Sequence, residues 1–85
     1  MAEVKYYVYV LRSKKDKRLY TGHTDNLERR VREHNQGQVI STRARMPFDL
    51  VHFEEYSSRS DARWRERHLK TAWGKKKLQK IISSG

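Results

Sequence analysis

Residues 5–22 read Lys-Tyr-Tyr-Val-Tyr-Val-Leu-Arg-Ser-Lys-Lys-Asp-Lys-Arg-Leu-Tyr-Thr-Gly. Lys5 to Leu11 is dense in β-branched and aromatic residues, which suit a pleated, half-buried surface, and it predicts a strand. Ser13 to Lys17 is a polar turn. Arg18 to Gly22 predicts a second strand, so the two form an antiparallel hairpin. Tyr9 and Tyr20 then sit on adjacent strands and can converge on one sheet face.

Downstream of the hairpin, Asp25-Asn26-Leu27-Glu28 has the form of a helix start, with Asp25 as cap and Glu28 three residues on. Leu27 and Val31 share one face of that helix, which should end near Gly37. Gln38 to Pro47 is polar and basic. Phe48 to Tyr56 alternates as a third strand, with Leu50 and His52 on one face and Val51 and Phe53 near the other. Ser58 or Ser60 caps a helix running to about Ala72, Gly74 breaks it, and Lys75 to Ile82 forms a short last helix. The order β-β-α-β-α-α predicts an α/β (α+β) sandwich: a small three-stranded antiparallel sheet flanked by helices, one domain over residues 1–85.

Twenty Lys and Arg oppose ten Asp and Glu, a formal charge of +10 at pH 7. That excess exceeds what solubility needs and attracts polyanions, of which nucleic acid is the commonest. An anionic membrane surface is the lesser competitor. The chain has no cysteine, which removes disulfides and thiolate metal sites and fits a reducing, cytoplasmic setting. No apolar run approaches the ~20 residues of a membrane span. Met1-Ala2-Glu3-Val4-Lys5 has no basic region followed by an apolar one, so no signal peptide is expected.

Four groups could carry chemistry. Glu66 shares a predicted stripe with Ala62, Leu69 and Trp73, and a carboxylate among apolar neighbours is costly unless it is paired or holds a cation. A salt bridge to an arginine explains it equally well. Arg30 stands one turn before His34 and could grip a phosphate with two parallel hydrogen bonds, or be a solvated member of the Arg29, Arg30, Arg32 run. Tyr9 and Tyr20, taken singly, read as core residues whose hydroxyls find a partner. His23 follows the second strand and reads as an exposed loop histidine. The lysines around Lys75 and Lys76 form either a solvated face or a backbone contact. Trp64 lies off the Glu66 stripe and predicts a second packing face, or a base-stacking contact.

Taken in order, these residues resemble the GIY-YIG nuclease domain over nearly the whole chain. Tyr7-Val8-Tyr9 stands where the family has Gly-Ile-Tyr, and Tyr20-Thr21-Gly22 where it has Tyr-Ile-Gly. Arg30 matches the family's catalytic arginine and Glu66 its metal-binding glutamate. His34 falls where the family often has Tyr or His, and His23 where lysine is frequent. Asn26-Leu27-Glu28-Arg29-Arg30 and Ser41-Thr42-Arg43-Ala44-Arg45-Met46-Pro47 are similar to the small stand-alone bacterial members, relatives of the excinuclease nuclease domain. The first motif lacks its glycine, and no asparagine follows Glu66 at the place where several active nucleases of the family carry one.

The resemblance implies a metal-dependent DNA endonuclease that hydrolyses phosphodiester bonds, directed by structure or damage, as in DNA repair, with low sequence specificity. The alternative is a DNA- or RNA-binding module of the same fold that cleaves weakly or not at all. It implies Tyr9, Tyr20, His23, Arg30, His34 and Glu66 as the catalytic set. A single Mg²⁺ or Mn²⁺ would be held by Glu66, weakly until DNA arrives. Arg29, Arg43, Arg45, Lys70, Lys75 and Lys76 are expected to contact nucleic acid, DNA before RNA. The expected assembly is a monomer or weak dimer, with a partner protein for targeting and no membrane association.

Overall fold

A computed structural model describes residues 4–84; Met1, Ala2 and Glu3, on which much of the signal-peptide expectation falls, and Gly85 lie outside the described residues. The hairpin forms as expected, from strands β1 (Tyr6–Ser13) and β2 (Leu19–Thr24). Helix α1 (Leu27–Asn35), a 3₁₀ turn (Arg43–Arg45), strand β3 (Phe48–Tyr56) and helices α2 (Arg59–Leu69) and α3 (Ala72–Ser84) follow. The sheet order is β2-β1-β3, with β1 antiparallel to both neighbours.

Because side chains alternate across β1, its two faces build two cores. Val8 and Val10 pack with Ala62, Leu69 and Leu78 under α2 and α3. Tyr9, Leu11 and Phe48 pack with Tyr20, Leu27 and Val31 under α1. The α2 face is further tied by Glu54 of β3, which accepts from Arg65 Nε (2.8 Å), Arg65 Nη2 (3.1 Å) and the Tyr56 hydroxyl (2.6 Å), and pairs with His52 Nε2 (2.8 Å). Burial raises the Glu54 pKa, but these donors outweigh it and hold the group at about 2. Across the other face, Asn35 clamps α1 to β3, donating to the Phe48 carbonyl (3.1 Å) while accepting from its N–H (2.6 Å).

Four sequence expectations are corrected. Asn26, not Asp25, caps α1: its side chain accepts from the Arg29 N–H, while Asp25 pairs with the Arg29 guanidinium. A bulge opposite Val10/Leu11 sets Leu11 against Leu50 and Val10 against His52, leaving Val51 as the extra residue. Alternation is lost there, so Leu50 and Phe53 come to the α1 side and Val51 packs on the other. The break after α2 falls at Lys70-Thr71 rather than Gly74. Thr71 Oγ1 accepts from the Gly74 N–H at 3.0 Å and so starts α3. A Cβ on Gly74 would lie 2.2 Å from the His68 carbonyl oxygen, so this glycine permits close packing rather than stopping a helix. Finally, Trp73 belongs to α3 and is 70% exposed, and Trp64 is 67% exposed, stacked parallel on His68 instead of forming a packing face.

Candidate functional site

The register of the hairpin sets Tyr9 opposite Gly22 and Leu11 opposite Tyr20, so Tyr9 and Tyr20 reach the α1 face together. Their rings lie 6.4 Å apart. Tyr9 is almost fully buried, and its ring passes directly over Gly22, where a Cβ would sit 2.6 Å from the hydroxyl oxygen and 2.7 Å from Cζ. Gly22 is therefore the space that Tyr9 occupies. His34, on the inner face of α1, is fully buried, with Nε2 2.9 Å from the Tyr9 hydroxyl and its ring 5.0 Å from that of Tyr20. Its other nitrogen, Nδ1, lies 2.8 Å from Thr42 Oγ1.

Burial, with the nearby Arg30 charge added, lowers the His34 pKa to about 4, against a weaker pull from Glu33, so the imidazole is neutral at pH 7. Burial likewise pushes the Tyr9 hydroxyl up to about 12. The Arg30 guanidinium opposes that rise, while Tyr20 and Glu66 add to it. Arg30 comes from the side of α1, a little over one-third exposed, and donates to Glu33 Oε1 at 2.9 Å. Its Glu33 hydrogen bond raises an already high pKa, with Tyr9 contributing, so it is a fixed positive charge beside the tyrosine hydroxyl.

Glu66 approaches from the opposite face. His23 stands opposite Val8 in the register and so points to α2, where its Nδ1 lies 2.5 Å from Glu66 Oε1. Lys70, one turn on, donates to Glu66 Oε2 at 2.8 Å. Burial raises the Glu66 pKa, yet hydrogen bonds from Lys70 and His23 outweigh it and the net direction is down. The carboxylate is thus ionised and 19% exposed, and its charge reaches Tyr9. His23 is half-buried and engaged, not the free loop histidine that its sequence position suggests.

Among the described residues no group of three or more His, Cys, Asp or Glu could hold a metal ion. A cation that keeps most of its waters needs only one or two carboxylates. Glu66, ionised and partly open, fits such a hydrated ion as its single protein ligand, in competition with Lys70 and His23 for its oxygens.

A groove of about 760 Å³ runs on from Tyr20 between the hairpin turn and α3. Lys17, Arg18, Arg45, Lys70 and Lys75 line it, against one acid, Asp16. Of the residues expected to meet nucleic acid, Arg45, Lys70 and Lys75 are here. Arg45 is largely committed to the fold, pairing with Asp16 at 2.9 Å and lying over the Phe48 ring. Arg29, Arg43 and Lys76 are exposed outside the groove lining: Arg29 pairs with Asp25 and Glu33, and Arg43 donates to the Gly37 carbonyl. In the sequence Lys17 and Arg18 mark only a turn and a strand start. Their position beside Tyr20 depends on the hairpin closing, which local composition does not reveal.

The GIY-YIG catalytic domain model matches residues 5–79. The chain is 48% identical over 75 residues to a UPF0213 protein of Haloquadratum walsbyi, covering 87% of this chain and 83% of that one. It is 42% identical over 82 residues to a UPF0213 protein of Staphylococcus saprophyticus, covering 95% and 98%. The solution NMR structure of a UPF0213 protein from Bacillus halodurans superposes with a TM-score of 0.57 at 34% identity, over 91% of this chain and 84% of that one.

Proposed function

The chain belongs to the GIY-YIG family, and on that premise we propose that it is a metal-dependent endonuclease hydrolysing phosphodiester bonds in DNA. The observation that carries this reading is the grouping of two tyrosines with a fixed arginine charge on the α1 face, with the charge of an ionised carboxylate from the other face reaching Tyr9, beside a cationic groove. The groove's cations would hold the phosphate backbone, which gives affinity without sequence reading. That favours substrates chosen by shape or damage over substrates chosen by base sequence.

Arg30 would bind a non-bridging phosphate oxygen and stabilise charge that grows at phosphorus. Tyr9, protonated at neutral pH and backed by neutral His34, would orient the attacking water, with Tyr20 packed beside it. His23 and Lys70 hold Glu66 in place. A divalent ion bound at Glu66 would supply Lewis-acid stabilisation of the leaving oxygen. A DNA-binding module that does not cleave is the second reading, favoured by both Glu66 oxygens already having protein partners.

The test is incubation of supercoiled plasmid with the purified protein and Mg²⁺ or Mn²⁺, with and without a chelator. Nicking that requires the ion supports the proposal. Retained binding without nicking would transfer the chain to the second reading.

A further inference from the structure

We propose that Thr42 is a positioning residue: by fixing the tautomer of His34 it forces the Tyr9 hydroxyl to present a hydrogen-bond acceptor to the site. The part about Tyr9's task rests on the hydrolase reading above, whereas the tautomer does not.

Three side chains form a buried line. Tyr9, His34 and Thr42 are each no more than 1% exposed. The Tyr9 hydroxyl lies 2.9 Å from His34 Nε2, His34 Nδ1 lies 2.8 Å from Thr42 Oγ1, and Thr42 Oγ1 lies 3.4 Å from the Val39 carbonyl oxygen. One arrangement makes all three contacts hydrogen bonds at once. In it the Thr42 hydroxyl donates to the Val39 carbonyl, which can only accept, instead of to the nearer His34 Nδ1. The hydroxyl lone pair then receives the His34 Nδ1–H. A neutral imidazole carries a single N–H, so Nε2 has a lone pair and the Tyr9 hydroxyl must donate to it. Tyr9 has now used its only proton inward, and what remains on its oxygen is acceptor capacity, part of which the Arg30 guanidinium takes.

An acceptor at Tyr9 suits a water that must be held by its own O–H, with the oxygen turned toward phosphorus. The opposite tautomer would do the reverse. If Thr42 donated to Nδ1, His34 Nε2–H would donate to Tyr9, and the phenol would be free to donate to a phosphate oxygen.

The loop that carries Thr42 is built to hold it. Thr42 N–H bonds the Val39 carbonyl at 3.1 Å, and the following 3₁₀ turn is tied to the hairpin by Ser13 Oγ to the Arg45 carbonyl (2.5 Å) and by Asp16 to Arg45. His34 is wedged edge-on between Tyr9 and Phe48, at 5.7 and 6.0 Å between ring centres, so it cannot reorient without moving the core.

The test is long-range ¹H–¹⁵N NMR of the histidine rings at pH 7, in wild type, Thr42→Val and Thr42→Ser. The proposal expects a pyrrole-type Nδ1 and a pyridine-type Nε2 for His34 in wild type and Thr42→Ser. Thr42→Val, which keeps the shape but removes the hydroxyl, should lose that single-tautomer signature. Plasmid nicking should fall about 10- to 100-fold in Thr42→Val, as for other supporting residues of a site, and recover in Thr42→Ser. A protonated Nε2 in wild-type His34 overturns the proposal, even if no variant folds. So does a Thr42→Val protein with unchanged tautomer and unchanged nicking. Should wild type nick nothing, the hydrolase reading fails while the NMR still decides the tautomer.

Discussion

Replacing Gly22 by alanine should unseat Tyr9. The new Cβ would meet Tyr9 Cζ at 2.7 Å and the hydroxyl at 2.6 Å, whereas carbon atoms rest at about 3.5–4.0 Å. The ring must therefore retreat by roughly 1 Å or β2 must bend away. The ring has little room, because it is 1% exposed and enclosed by Tyr20 and His34. Overpacking of this kind costs about 1–3 kcal/mol. A shifted hydroxyl also strands His34 Nε2, a buried polar atom that costs about 1–3 kcal/mol when left unpaired. Alanine recovers about 0.4–1 kcal/mol by restricting the unfolded chain. The net loss is about 1–5 kcal/mol, which in a domain of this size lowers the melting temperature by roughly 5–40 °C. Thermal and urea unfolding by circular dichroism would measure it. A melting temperature within about 3 °C of wild type, with Tyr9 and His34 still in contact, would refute the claim that the Gly22 space is what seats Tyr9.

Acid should destabilise the protein in two steps. His34, whose folded pKa of about 4 lies below its ordinary 6.5, contributes its full stability above pH 6.5 and loses it as pH falls toward 4, about 3 kcal/mol in all. Glu54, at about 2 against 4.5, loses a comparable amount between pH 4.5 and 2, and only this second step should vanish in Glu54→Gln when urea unfolding is followed against pH. Asn35→Ala should cost about 1–3 kcal/mol in the same assay, because it removes both hydrogen bonds that fasten α1 to Phe48. DNA affinity, followed by fluorescence anisotropy, should fall steeply with salt, and Lys75→Ala should reduce the log–log slope by about one; a flat profile would remove the electrostatic role of the groove.

The hairpin is legible in the sequence because its aromatic and β-branched residues state one preference over a short span. Phe48–Tyr56 is legible for the same reason. The faces of β3 are not, because one extra residue at Val51 shifts the alternation and leaves no local mark. Gly74 misleads because glycine serves both as a helix breaker and as a point of close approach, and only the position of the His68 carbonyl tells the two apart. Within the candidate site, the pairing of Tyr9 with Tyr20 follows from strand adjacency alone. The link between His23 and Glu66 spans 43 residues and needs the packing of α2 on β2. Thr42 lies within a stretch that composition marks only as polar and basic, although the fold buries it completely.

The central claim is that the residues gathered around Tyr9 and Glu66 form one hydrolytic site. The most direct measurement is nicking of supercoiled plasmid by wild type, Glu66→Ala and Arg30→Ala, prepared identically and matched for DNA binding. The account predicts that only wild type nicks, while Glu66→Ala binds DNA with nearly wild-type affinity and Arg30→Ala binds less tightly by about one phosphate contact. Equal turnover by wild type and either variant would contradict it.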